Sequence, residues 1–285
     1  MTLDVTQPAG PLPTFAFTPD LSFAARQRMA GRDISSLPRL WRLSWTLAWL
    51  DIRLRYRGSM LGPFWLTLST GAMIGAMGVV NAVLFNMDMR EYFPYLALSL
   101  VLWSYVGGIT AEGCQTFLEA EGTIRSVRMP YCLYAMRVML RNWVVLGHNV
   151  VVVVVVYATL RIWPGANALL CLPGLLLWAV DSIAICIGLG AICSRFRDIP
   201  PIIASVIQMA FFISAVIFKP QQIAPWDWLL LFNPFFTLLE VVRAPLLGAV
   251  PSFHAWVSAL GWSVALCGVS WLLFVRVRSR IAFWV

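Results

Sequence analysis

Six apolar stretches, each close to the thickness of a bilayer in helical length, decide most of what this chain can fold into. They run over 63–85, 93–111, 143–160, 168–193, 199–218 and 255–275, and a helix needs about 20 predominantly apolar residues to cross the hydrocarbon core. Composition removes the soluble alternative: 60% of the residues are hydrophobic and only 12% charged, against roughly one quarter charged in a soluble domain. The third stretch holds seven consecutive valines, Val150 to Val156. In water such a β-branched run favours a strand. In lipid each segment must satisfy its own backbone N–H and C=O groups, so helix wins. The expected fold class is an all-α integral membrane protein with six transmembrane helices.

The charges orient the bundle. Of 21 cationic side chains 20 are arginine, and Lys219 is the lone lysine. With both termini on one side, the segments facing that side carry 17 of the 21, and the opposite loops carry Arg90, Arg161, Lys219 and Arg243. The positive-inside rule then makes both termini cytoplasmic. Short arginine clusters between apolar runs are topology signals rather than a continuous nucleic-acid-binding patch. The six cysteines form no C-x-x-C pair and lie mostly in or beside apolar runs, which reads as free thiols, with neither a metal site nor a disulfide framework.

Two segments outside the spans have character of their own. Residues 1–33 read as a flexible cytoplasmic tail, since the first 20 contain four prolines and no basic residue; they lack the charged start and apolar core of a signal peptide. Residues 34–58 read as an interfacial amphipathic helix, with Ser36 as N-cap and Pro38 in the first turn. Arg39, Arg42, Thr46, Arg53 and Arg57 share an arc of about 60°, and Trp41, Trp45, Trp49, Ile52 and Tyr56 form the neighbouring stripe. That suits tryptophans at headgroup depth and arginines toward phosphate. Residues 219–254 carry apolar runs broken by Pro220, Pro225, Pro234, Pro245 and Pro251, the pattern of a re-entrant or interfacial pair of short helices on the outer side.

This order of elements resembles the type-2 ABC exporter permeases, and within them those that export polysaccharides such as O-antigen, capsule or teichoic acid. The stretches that carry the resemblance are LDIRLRYRGSMLGPFWLTL (50–68), EGTIRSVRMPYCLYAMRVMLRNWVVLGHN (121–149), SRFRDIPPIIASVIQMAFFISAVIF (194–218), NPFFTLLEVVRAPLLG (233–248) and RSRIAFWV (278–285). The resemblance implies a transmembrane domain over 59–285, a homodimer, and two copies of a separate ABC ATPase that bind ATP and Mg. It also implies an undecaprenyl-diphosphate-linked glycan as substrate, most directly O-antigen, in the bacterial inner membrane. This chain has no G-x-x-x-x-G-K-[ST] motif, so it is expected to be a transport subunit without enzyme activity or cofactor of its own.

The candidate working parts follow. The resemblance places a coupling helix in the inner loop between spans two and three, with ATPase contact around Glu119, Glu121, Arg125 and Arg128; an ordinary solvated loop is the plainer reading. It adds a second contact through Arg195, Arg197 and Asp198 in the turn before span five, where Asp198 also suits an N-cap and Pro200 the first helical turn. Arg53, Arg55 and Arg57 are matched to a lipid diphosphate or to anionic lipid headgroups, because guanidinium pairs bidentately with phosphate oxygens. Phe64, Trp65, Phe211 and Phe212 lie on the two spans that line the channel in the family, and aromatic faces suit sugar rings. Asp181, a lone carboxyl inside a span, is a functional candidate by default, against a structural role as a protonated or hydrogen-bonded group; His148 and Asn149, also inside a span, suit hydrogen bonds across helices. Gly71, Gly75 and Gly78 suit close packing of span one. The competing functions are a type-2 exporter of another cargo, such as a drug or lipid, and, more distantly, a membrane-embedded lipid-sugar transferase.

Overall fold

The computed structural model describes residues 22–58, 64–84 and 87–285, and among these there is no strand. Helices α1 (Phe23–Ser35) and α2 (Leu37–Arg55) precede the bundle. It is built from α3 (Phe64–Leu84), α4 (Met89–Gln115), the short α5 (Glu121–Ser126), α6 (Tyr131–Leu160), α7 (Cys171–Arg195), α8 (Ile199–Ile213), α9 (Pro234–Leu246) and α10 (Phe253–Trp284). Among the described residues, five helical segments are long and apolar enough to cross a membrane: Thr67–Leu84, Met89–Gln115, Tyr131–Leu160, Ala166–Arg195 and Phe253–Trp284.

Three expectations change. Most of the expected tail lies outside the described residues, but its last part is helix: α1 covers 23–35, and Asp33 is buried there against Arg278 of α10. Ser36 does not cap α2 with its side chain; its hydroxyl donates to the Asp33 carbonyl at 2.6 Å, joining the two helices. The fifth stretch is helical only to Ile213. At about 1.5 Å per residue, its 15 residues fall short of the hydrocarbon core, and the chain leaves the helix at Ser214–Phe218. The proline-broken region that follows forms 3₁₀ turns at Pro220–Ile223 and Trp226–Phe232, the second meeting α9 at a bend of 99°.

Helix α4 is the spine of the bundle. Its apolar window is 72% buried, against 17% for α3 and for α6 and 22% for α10, because α3, α6, α7, α8 and α9 all lie against it. Asp88 accepts from the Arg90 N–H at its first turn, and Glu91 complements the helix dipole there. The glycines of α7 set how close its neighbours come. A Cβ on Gly174 would fall 3.1 Å from the Val241 carbonyl oxygen of α9, and one on Gly188 would fall 2.5 Å from the Ser270 hydroxyl of α10. On α3 the expected close approach is confined mainly to Gly78, where the Phe93 ring sits 2.7 Å from the position of a Cβ; at Gly75 the space is open.

Candidate functional site

Both ends of the described chain meet at one end of the bundle, where Arg278 forks onto Asp33 at 2.7 and 2.8 Å. The same end gathers the arginine-rich segments counted above. Its centre is Arg141, one turn after Arg137 on α6, with a side chain only 5% exposed. Arg141 donates to Glu112 at 2.8 Å, to Asp51 at 3.3 Å and to Glu119 at 3.3 Å. Arg137 forks onto the Asp51 carboxylate. Arg55 reaches the other oxygen of Glu112 at 2.8 Å, and the Asn142 amide donates to Glu112 at 2.6 Å. A guanidinium taken from water needs its donors satisfied and its charge opposed. Three carboxylates from three segments meet that need. The network therefore pins α2 to α4 and α6, helped by Ser44, Ala48 and Ile52, which form a buried stripe on α2.

This cluster was legible only in part. The sequence pattern fits Glu119 and Arg55 to other roles and assigns no site role to Asp51, Glu112, Arg137, Arg141 or Asn142. The signal was present as two arginines four residues apart at the start of a span, which puts both on one helix face.

The expected coupling residues separate. Glu119 turns to Arg141. Glu121 pairs with Arg125 at 2.9 Å on the exposed surface of α5, and Arg125 also donates to the main-chain oxygen of Val285, its Nε at 3.1 Å. Arg128 is exposed just past α5. Arg195, Arg197 and Asp198 are exposed in the α7–α8 turn, with Arg195 5.9 Å from the Trp284 ring centre. Asp198 stands at the N-cap of α8 without a side-chain bond, so it does not cap that helix, while Pro200 does lie in the first turn.

The arginines fitted to phosphate differ from one another. Arg55 is held by Glu112. Arg53 lies 5.6 Å from the Trp49 ring centre, leaving its edge exposed. Arg57 is exposed and has no ion-pair partner among the described residues. Trp41, Trp45 and Trp49 are exposed along α2, as an interfacial helix requires. Of the channel aromatics, Phe64, Trp65 and Phe212 are exposed, whereas Phe211 is half-buried against Trp103. His148 bonds within its own helix, to the Val144 carbonyl at 2.8 Å, rather than across helices, and its ring meets Phe64 edge-on. Asn149 reaches Ser104 of α4 at 3.4 Å. Asp181 of α7 is buried and accepts from Ser263 of α10 at 2.7 Å.

The opposite end holds a second polar cluster, around the break after α8. Arg243 was counted among the outer loop charges; it is instead fully buried in α9. It bonds Glu240 at 2.6 and 3.1 Å, Ser99 at 2.9 Å and the Ala215 carbonyl at 2.8 Å, with the Tyr95 ring centre 4.4 Å away. The carbonyls freed where α8 stops would be orphans in an apolar setting. Asn233 takes that of Ile213 at 3.1 Å, Tyr95 those of Ala215 and Phe218 at 2.5 and 2.8 Å, and Tyr92 that of Ile217 at 2.7 Å. Lys219, also counted outside, pairs with Glu91 at 3.2 Å.

No group of three or more potential metal ligands exists among the described residues. What the geometry defines is a multi-pass helical membrane protein with a charge-rich end hydrogen-bonded to its spans. The chain belongs to the ABC-2 type transporter family, whose model matches residues 42–247. It is similar to the O-antigen export system permease protein RfbA of Myxococcus xanthus, with 22% identity over 201 residues, covering 68% of this chain and 76% of that protein. It is also similar to the O-antigen export system permease protein RfbA of Klebsiella pneumoniae, with 19% identity over 239 residues, covering 81% of this chain and 90% of that protein.

Proposed function

We propose that this chain is the membrane permease of an ATP-driven exporter that moves an undecaprenyl-diphosphate-linked polysaccharide, most directly an O-antigen, across the bacterial inner membrane. The observation that carries this reading is its similarity, over most of its length, to two proteins named as O-antigen export permeases. The geometry supports it at two points. Arg53 and Arg57 present exposed guanidinium groups beside exposed tryptophans on α2, a pairing suited to a diphosphate at the membrane surface. The exposed faces of α3 and α8 carry Phe64, Trp65 and Phe212, where a second copy of the chain would complete an aromatic-lined path.

In this reading two copies of the permease pair with two copies of a separate ABC ATPase, and both termini are cytoplasmic. The basic end then receives lipid-linked substrate and contacts the ATPase. Deleting the gene tests the proposal. Lipid-linked polymer should accumulate inside the cell and disappear from the surface, and the intact gene should restore it. Normal surface polymer in the deletion strain refutes the assignment. Loss of a lipid or drug phenotype in place of polymer would reassign the cargo within the same family.

A further inference from the structure

The last turn of α10 is where the two expected ATPase-contact loops meet. Ile281 and Val285 are buried at 0% and 3% exposure, so the turn is seated rather than trailing. Around it, Arg125 of α5 donates through both Nε and a terminal nitrogen to the Val285 main-chain oxygen. Arg195, which ends α7, lies over the Trp284 ring. Arg278, one turn earlier, forks onto Asp33 of α1 and lies 5.7 Å from the Tyr131 ring centre at the start of α6. Tyr131 is in edge contact with Phe117 and Phe274, at 5.6 and 6.3 Å between ring centres. Four helices therefore converge on residues 278–285. Helix α5 has no fully buried residue of its own, and Ile124 is its one apolar side chain packed partly against the core, so the Arg125 bond is the main polar tie between α5 and the end of α10.

We propose that residues 278–285 are a positioning strut that holds α5 and the α7–α8 turn in one register, with Arg125 and Trp284 as its two attachment points. The consequence rests on the permease reading. A displacement imposed by an ATPase on either loop would then reach α7 and α10 together rather than deforming a loop in isolation. Arg125 is accordingly a positioning residue within this chain, not a free charge awaiting the ATPase. The α7–α8 turn is held by cation–π attraction, which depends on an aromatic face and not on tryptophan alone.

The test uses the full-length permease with Arg125→Gln, Trp284→Ala and the conservative Trp284→Phe. In detergent, amide hydrogen exchange over 121–126 should rise roughly tenfold in Arg125→Gln, as expected when a charge-assisted hydrogen bond is lost. Exchange within α4 should stay unchanged. In membranes containing the cognate ATPase, Arg125→Gln and Trp284→Ala should keep their ATP hydrolysis while polymer exported per ATP falls several-fold. Trp284→Phe should recover most of that ratio, which a merely structural loss at Trp284 would not do. Wild-type exchange over 121–126 in Arg125→Gln overturns the strut, and so does an unchanged ratio in both disruptive variants. If Trp284→Ala does not fold, the exposed Arg125 substitution decides alone. If the wild-type protein exports no polymer, the permease reading has failed, and the exchange result still decides the strut.

Discussion

Replacing Arg243 with methionine removes the charge at the centre of the cluster around the α8 break while keeping much of its bulk. Arg243 is fully buried, whereas its partner Glu240 keeps 25% side-chain exposure. Breaking a buried ion pair by deleting one member costs about 3–5 kcal/mol, chiefly because the other charge is stranded. Two features of this site place the effect at the lower end. Glu240 is partly exposed rather than enclosed, and the Ala215 carbonyl still accepts from Tyr95 at 2.5 Å. Against that, the bond to Ser99 and the attraction to the Tyr95 ring are lost; a desolvated cation–π contact contributes about 2 kcal/mol. The expected destabilisation is about 3 kcal/mol, read from reversible unfolding in mixed micelles. Adding Glu240→Gln to the same protein should recover part of it, since no charge is then left unopposed. A methionine variant as stable as wild type, or a double variant whose losses simply add, would refute this account of the cluster.

Asp51→Asn should release α2 from Arg137 and Arg141, so hydrogen exchange over 37–55 should rise while α4 and α7 stay protected; unchanged exchange would mean that the apolar stripe alone seats the helix. Gly188→Val should cost about 1–3 kcal/mol through overpacking, since its Cβ would meet Ser270 of α10. Adding Ser270→Gly should relieve most of that loss in the same unfolding assay. Asp181→Asn keeps an acceptor for Ser263 and should leave stability within about 1 kcal/mol of wild type and export intact; loss of export in a folded Asn variant would show that the carboxylate itself is used.

The spans were legible because lipid leaves the backbone little choice: apolar length alone located α3, α4, α6, α7 and α10. What stayed hidden was polar structure between elements far apart in sequence. Arg243 sits in an amphipathic run, and nothing nearby reveals that Ser99 and Ala215, 144 and 28 positions away, accept its hydrogen bonds. The early end of α8 was invisible for the same reason. Ile-Ser-Ala-Val-Ile-Phe reads as uninterrupted span, and it stops being helix where side chains of α4 and the α9 segment take over its carbonyls. Asp33 looked like part of a tail because its partner, Arg278, lies 245 residues later. Glu112 and Arg141 do not stand out in the sequence for a different reason: charges beside a span are usually topology signals, and only burial distinguishes a solvated arginine from one that organises three segments.

The two polar clusters share one support. Glu112, at the basic end, and Tyr92, Tyr95 and Ser99, at the other, all project from α4, the most buried helix of the bundle. Helix α8 presents Ile202, Val206, Met209 and Phe212 outward, and its end is secured through carbonyl bonds to Tyr92, Tyr95, Asn233 and Arg243. This helix is short and outwardly apolar, packs on α4 through Ile207, Ala210 and Phe211, and has its end point set by those bonds. In this fold burial fixes α4 and α7, and hydrogen bonds from α4 and α9 fix where α8 stops.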